Sequence, residues 1–142
     1  MTQMESHKLN CPNCGHLQDN VVWTSLNVSL DPTLREKLFN GEINVLVCEK
    51  CGNRALISVA LLYHDMKRKY CVQYYPIQVI EDAEFFKRFT KDGKLNIDGL
   101  SKAMGEIGHY MVEPHIVFDL NEMIQYIKFR DKLHDLHKEM VS

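Results

Sequence analysis

Apolar and polar residues alternate along residues 21–30 (VVWTSLNVSL), where Val22, Thr24, Leu26, Val28 and Leu30 share one face. A period of two predicts a strand with that face on a core, and Trp23 keeps the other face from being fully solvated. The period then changes in DPTLREKLFNG. Leu34 and Leu38 stand four apart, Asp31 suits an N-cap, Pro32 the first helical position and Gly41 the left-handed stop. A helix of about two turns is expected there. Residues 43–47 predict a brief strand. Residues 54–64 (RALISVALLYH) are apolar on nearly both faces and predict one longer strand through the middle of a sheet. Residues 65–69 read as a polar turn. Residues 70–75 read as the return strand of a hairpin, ended by Pro76, which cannot donate to a ladder.

The second half is more helical. Residues 81–89 (EDAEFFKRF) begin acidic and end basic, complementing a helix dipole, with Phe85 and Phe89 on one face. Residues 90–99 read as a loop, and residues 100–107 as a short helix weakened by Gly105 and Gly108. HIVF at 115–118, preceded by Pro114, predicts one more strand. Asp119 and Glu122 give a capping-box-like start to a long final helix. Its apolar stripe is Leu120, Met123, Ile124, Ile127, Leu133, Leu136 and Met140.

A chain of 142 residues is about one domain, 1–142, and no repeat or low-complexity tract divides it. Mean hydropathy is -0.28, and no long uncharged apolar run predicts a membrane span. MTQMESHKLN carries no apolar h-region, so a cytoplasmic location is expected, where thiols stay reduced. Seventeen basic residues against 19 acidic ones give a net charge of -2. Such a chain is a poor generic partner for nucleic acid, whose binding rests on neutralised phosphates. The densest basic run, Lys67, Arg68 and Lys69, with Arg54 not far off, reads first as a solvated hairpin tip.

The chemistry lies in the cysteines. CPNCG and CEKCG place Cys11 with Cys14 and Cys48 with Cys51, thirty-three residues apart, each pair followed by a glycine. Two-residue spacing lets both sulfurs of a pair point at one ion about 2.3 Å away. The glycine lets the backbone turn so that N–H groups face the sulfurs and offset their charge. Two such turns supply four ligands and a closed tetrahedral site, whose role is structural because no position is left for water or substrate. Four metal-bound thiolates around a dication would add about -2 to the net charge. A redox pair would need its first cysteine at a helix N-terminus, but Cys14 is followed by Gly-His-Leu and polar residues. Disulfides fit a reducing compartment poorly. Zinc is the expected occupant. Iron shares the ligand set, as in the two C-x2-C-G turns of rubredoxin, and spacing alone does not separate them.

Other reactive side chains read as structure. Cys71, in the return strand, reads as a buried thiol. His134 and His137 stand three apart on a charged surface helix and read as solvated. His64 and Asp65 point to opposite faces of a strand. His16 would serve as a ligand only in place of a lost cysteine. Tyr63, Tyr70, Tyr74 and Tyr75 read as core and strand surface. No nucleophile has a base and an orienting third group, and no Gly-rich phosphate loop occurs.

CPNCGH, the segment TSLNVSLDPTLREKLFNGEINVLVCEKCGN, a strand ending in LLYHD and a return strand ending in YYP together resemble the CpXC domain family. These are bacterial and archaeal proteins marked by two Cys-Pro-X-Cys-like motifs. The likeness is closest over residues 9–76. EPHIVFDLNEMIQYI matches the family's ending more loosely, and residues 91–109 have no counterpart by eye. Glu49 stands where the second motif would have proline, which would only stiffen the turn. The resemblance implies a zinc-ribbon-like sheet with Cys11, Cys14, Cys48 and Cys51 as metal ligands, and it implies no activity. The expected fold is α+β: an antiparallel zinc-knuckle β part over 9–76 with a short inserted helix, then a mainly helical part over 77–142 with one further strand. The expected function is non-enzymatic structural zinc binding in a module for an unknown protein partner. A nucleic-acid-binding or regulatory ribbon using Arg54, Lys67, Arg68 and Lys69, or a rubredoxin-like iron electron carrier, stands as the alternative.

Overall fold

The computed structural model describes residues 2–94 and 114–141, so the helix expected at 100–107 and part of the loop expected at 90–99 lie outside the described residues. The elements run β1 (Gln3–Asn10), β2 (Leu17–Asn27), α1 (Thr33–Phe39), β3 (Val45–Val47), β4 (Arg54–Leu56), β5 (Leu61–Asp65) and β6 (Tyr70–Tyr74). A 3-10 segment (Ile77–Glu81), α2 (Ala83–Phe86), β7 (His115–Val117) and α3 (Leu120–Val141) follow. The mixed α and β class is the one expected.

Five strands form one sheet in the order β1-β2-β5-β6-β7, and β3 with β4 forms a separate two-stranded ribbon. The sheet is mixed rather than wholly antiparallel. β1–β2 and β5–β6 are antiparallel, whereas β2–β5 and β6–β7 are parallel. Parallel neighbours need a long crossover, and both parallel pairs have one. Between β2 and β5 the crossover holds α1 and the ribbon, so the insertion that bears the second cysteine pair also sets the sheet's topology.

Two strand expectations are corrected. The single strand over 54–64 is two: β4 belongs to the ribbon and β5 to the main sheet, because the chain must leave one sheet to enter the other. Exposure alternates from Arg54 to Ala60, and near-complete burial begins at Leu61. β2 begins earlier than expected and ends at Asn27, whose carboxamide oxygen accepts from the N–H groups of Ser29 and Leu30 and turns the chain. Leu30 is therefore exposed instead of sharing the buried face of Val22, Leu26 and Val28. β1 had no sequence signal, since nearly every residue along it is exposed.

α1 starts one residue later than expected, with Pro32 rather than Asp31 at its N-cap, and ends as expected. Asp31 accepts from the Thr33 N–H (3.3 Å) and hydroxyl (2.6 Å). Beyond the last turn, Glu42 N–H donates to Lys37 O and Gly41 N–H to Leu38 O, with Gly41 at φ 74. That is a Schellman ending, and it sends the chain toward the ribbon. Leu34 and Leu38 face the core. α2 is a single turn rather than the helix expected over 81–89, capped by Asp82 on the Glu84 N–H. Its Phe85 still meets Phe89, with ring centroids 5.2 Å apart.

The core gathers Leu26, Leu34, Leu38, Leu61, Tyr63, Tyr70, Val72, Tyr74, Met123 and Ile127 between the sheet and the two longer helices. The four tyrosines expected in the core and on the strand surface, Tyr63, Tyr70, Tyr74 and Tyr75, are all buried. Met123 and Ile127 are fully buried, with Leu120 and Ile124 packed beside them, but Leu133 and Leu136 are exposed. α3 packs on β6 and β7 through its first half, where its buried apolar residues lie. The Met140 side chain lies outside the described ones.

A charged cluster closes this end. Asp131, 5% exposed, accepts from Arg35 Nε (2.8 Å) and from the Tyr70 hydroxyl (2.9 Å). Asp65, 1% exposed, accepts from Arg68 through its backbone N–H and its guanidinium (both 2.9 Å) and from the Ser29 hydroxyl (3.3 Å). Arg68 is thus tied down rather than forming a solvated basic tip. Burial opposes the charge on Asp65, yet the backbone and side-chain donors of Arg68 prevail and hold the carboxyl below its ordinary 3.8. A depressed pKa stabilises the fold above the unfolded value, and that contribution is lost as pH falls through the folded one. Asp65→Asn should lower the melting temperature near neutral pH and flatten its fall below about pH 4, the reference carboxylate range. Parallel melting curves of the two proteins from pH 3 to 7 check both effects.

Candidate metal centre

Each cysteine pair sits at a strand reversal of the same design. At the first, Cys11 N–H donates to His16 O and Gly15 N–H to Cys11 O, both at 2.9 Å. At the second, Cys48 N–H donates to Asn53 O and Gly52 N–H to Cys48 O, again at 2.9 Å. The turn between β1 and β2 forms one knuckle, and the turn between β3 and β4 forms the other. Gly15 and Gly52 hold φ of 78 and 75, the left-handed region that a Cβ disfavours. The glycine after each pair is therefore needed for the reversal.

The two knuckles face each other. Cys11 Sγ lies 3.6 Å from Cys51 Sγ, and Cys14 Sγ lies 3.5 Å from Cys48 Sγ. All four sulfurs fall within 4.8 Å of one another. A tetrahedron with arms of about 2.3 Å has edges of about 3.8 Å, so the cluster is close to what one ion requires. The separations are far beyond the ~2.05 Å of a disulfide, and the cysteines are free. Both short contacts cross from one knuckle to the other, so neither pair acts alone. The first cysteine of each knuckle is buried and the second is exposed. Cys11 and Cys48 pack with Leu46, Leu9 and Ile57 in a small apolar cluster of their own.

Backbone donors converge on the inner sulfurs. Asn13 N–H points at Cys11 Sγ, and the N–H groups of Lys50 and Cys51 point at Cys48 Sγ, each at 3.4 Å. The Asn13 carboxamide reaches across to Cys51 Sγ at 3.7 Å. These donors favour thiolate. The Cys51 N–H, against burial, pushes Cys48 down to about 6, and the Cys14 N–H likewise draws Cys11 below an ordinary thiol. Cys14 goes the other way, up to about 11: the His16 N–H favours its thiolate, but burial and the neighbouring sulfurs outweigh it. Thiolates gathered at this spacing repel one another. A cation among them removes the conflict.

The other side chains weighed from the sequence lie elsewhere. Cys71 is buried in β6 opposite His64, and burial raises its thiol to about 11, as fits an inert core thiol. His134 and His137 are exposed on α3. His16 sits 3.9 Å from Glu49 across the gap between the knuckles. Arg54 donates to Gly41 O (3.3 Å), and Arg68 is held in the carboxylate cluster. Asn13 and Gln18 carry no sequence signal beyond their nearness to the first pair.

Gly52→Ala should strain the second knuckle by about 1–2 kcal/mol, the usual cost of a Cβ in left-handed backbone. No neighbour lies within 4 Å of the added carbon, so a weaker metal complex in a chelator competition would report backbone strain rather than a clash.

A family model described as CpXC protein matches residues 9–142. The match runs well past residue 76 and takes in the C-terminal half, where the motif resemblance is looser. No curated protein and no solved structure gives a match. With the paired knuckles and the family match over residues 9–142 together, the chain belongs to the CpXC family.

Proposed function

We propose that the protein is a non-enzymatic zinc protein in which Cys11, Cys14, Cys48 and Cys51 hold one ion. The ion clamps the ribbon to the β1–β2 hairpin, and the surface beside the clamp serves a protein partner. The observation that carries this reading is the cluster of four sulfurs within 4.8 Å, drawn equally from two matched turns. Soft thiolates in a tetrahedral set suit zinc or iron, and zinc is the commoner occupant of closed structural sites. All four ligand positions are filled by protein, so the ion supplies folding energy rather than a reacting water. Such a site needs reduced thiols, which supports a cytoplasmic setting. No helix among the described residues is long and apolar enough to cross a membrane. The nucleic-acid reading has less support, because Arg54 and Arg68 are engaged within the chain and only Lys67 and Lys69 of the basic run are left to meet phosphates.

Elemental analysis of purified protein should return about one zinc per chain, in line with a single four-sulfur site. The solution should be colourless, since a ferric tetrathiolate absorbs visible light. Cys48→Ser should lose the metal and melt lower by about 5 °C or more, the shift for roughly 2 kcal/mol in a chain of this size. Metal-free protein whose melting ignores Cys48→Ser would sink the proposal, and a stoichiometric visible iron spectrum would turn it toward electron transfer.

A further inference from the structure

The ribbon and the β1–β2 hairpin belong to different sheets, so no ladder of backbone hydrogen bonds sets how the two knuckles face each other. Two buried carboxamides stand in for one. Gln18, one residue into β2, is 8% exposed. Its Nε2 donates to Val47 O (3.0 Å), and its Oε1 accepts from the Glu49 N–H (2.9 Å). Val47 and Glu49 are the residues immediately before and after Cys48. Asn44, 4% exposed, does the same at the ribbon's other end. Its Oδ1 accepts from the Trp23 N–H (2.7 Å), and its Nδ2 donates to Trp23 O (2.9 Å). β5 pairs with β2 only from Ser25 to Asn27, so Trp23 lies beyond that ladder. Asn44 also holds φ 55, a left-handed conformation that asparagine tolerates better than most residues.

The geometry points to Gln18 as a positioning residue for the metal centre, acting through the peptide groups on either side of Cys48. This rests on the metal-binding reading above. A side-chain amide offers one donor and one acceptor at a fixed spacing, as a β-strand neighbour does. Gln18 leaves the first knuckle four residues after Cys14, and its amide grips the strand entering the second. It therefore joins the two halves of the clamp by a route that does not pass through the ion. The Cys48 sulfur needs such aim, because a tetrahedral ion tolerates little error in ligand position. Asn44 anchors the far end, so that the ribbon cannot swing about the Gln18 contact. A neutral amide also suits the place: it adds no charge beside a tetrathiolate.

Cobalt(II) is the probe, since its visible bands report tetrahedral thiolate ligation directly. Wild type and Gln18→Met, which keeps the volume and loses both hydrogen bonds, are titrated with Co2+ under reducing conditions. Ser29→Ala serves as a control for stability alone; its hydroxyl bonds Asp65 and the backbone of Met66 and Lys67, in the carboxylate cluster rather than at the knuckles. Removing an outer partner of a metal site typically weakens binding about ten- to a hundredfold. Gln18→Met should show that loss and a faster release to chelator, with tetrathiolate bands still reached at saturation. Ser29→Ala should bind as wild type does. Gln18→Glu, which keeps the acceptor for Glu49 and drops the donor to Val47, should also bind more weakly and guards against a Met variant that does not fold. Wild-type affinity in either Gln18 variant overturns the inference, and so does an equal loss in Ser29→Ala. Failure of wild type itself to give the tetrathiolate spectrum overturns the metal reading instead.

Discussion

Four sulfurs about one ion sit at the corners of a tetrahedron with edges of about 3.8 Å, and an error of an ångström at one corner is a large part of that length. The four cysteine sulfurs, clustered as a possible metal site, come from two turns separated by more than thirty residues of chain. Everything between Cys14 and Cys48 has to return the backbone to within that tolerance. The upper part of β2, α1 and the entry to the ribbon make up that intervening chain. Asp31 accepts from the first residue of α1, and the Schellman turn at Gly41 ends the helix and aims the chain at β3. The two knuckles share one hydrogen-bond pattern, so the cluster approaches a twofold arrangement in which each sulfur's close neighbour lies on the opposite turn.

The far end of the molecule is held by charge rather than by thiols. Asp131 from α3 meets Arg35 from α1 and Tyr70 from β6, and Asp65 in β5 meets Arg68 from the hairpin turn. Buried carboxylates of this kind hold little net stability against apolar replacements, but leaving either one without its partners is severe. Their effect is to fix which helix turn meets which strand. α1 takes part at both ends: its Arg35 enters the charged cluster, and its C-terminus launches the ribbon.

Much of this was legible in the residues, and the exceptions have physical causes. Capping chemistry marked α1, since Asp, Pro and Gly each fill a position that few other residues can. The cysteine spacing marked the centre, because two residues between thiols is a geometric requirement. The break in the 54–64 strand was not legible, because an apolar run does not say which of two sheets it enters. Nor was the parallel pairing, which depends on where a long connection returns. The α3 stripe misled at Leu133 and Leu136: periodicity gives the face of a helix but not how far the sheet beneath it extends. Arg68 read as solvated because its carboxylate partners, Asp65 at 2.9 Å and Asp131 at 3.6 Å, gather only once the hairpin turn packs under α3.

β1 escaped the pattern for the opposite reason: its residues are polar on both faces, Met4 and Leu9 apart. It is also the outermost strand of the sheet on that side. An outermost strand leaves a row of backbone donors and acceptors open, which in an apolar segment would recruit the edge of another molecule into a growing fibre. Glu5, His7 and Lys8 place ionisable groups along that row, and each joining copy would have to bring its own charges alongside. The composition that made β1 silent to a hydrophobic reading thus discourages the sheet from adding strands without limit.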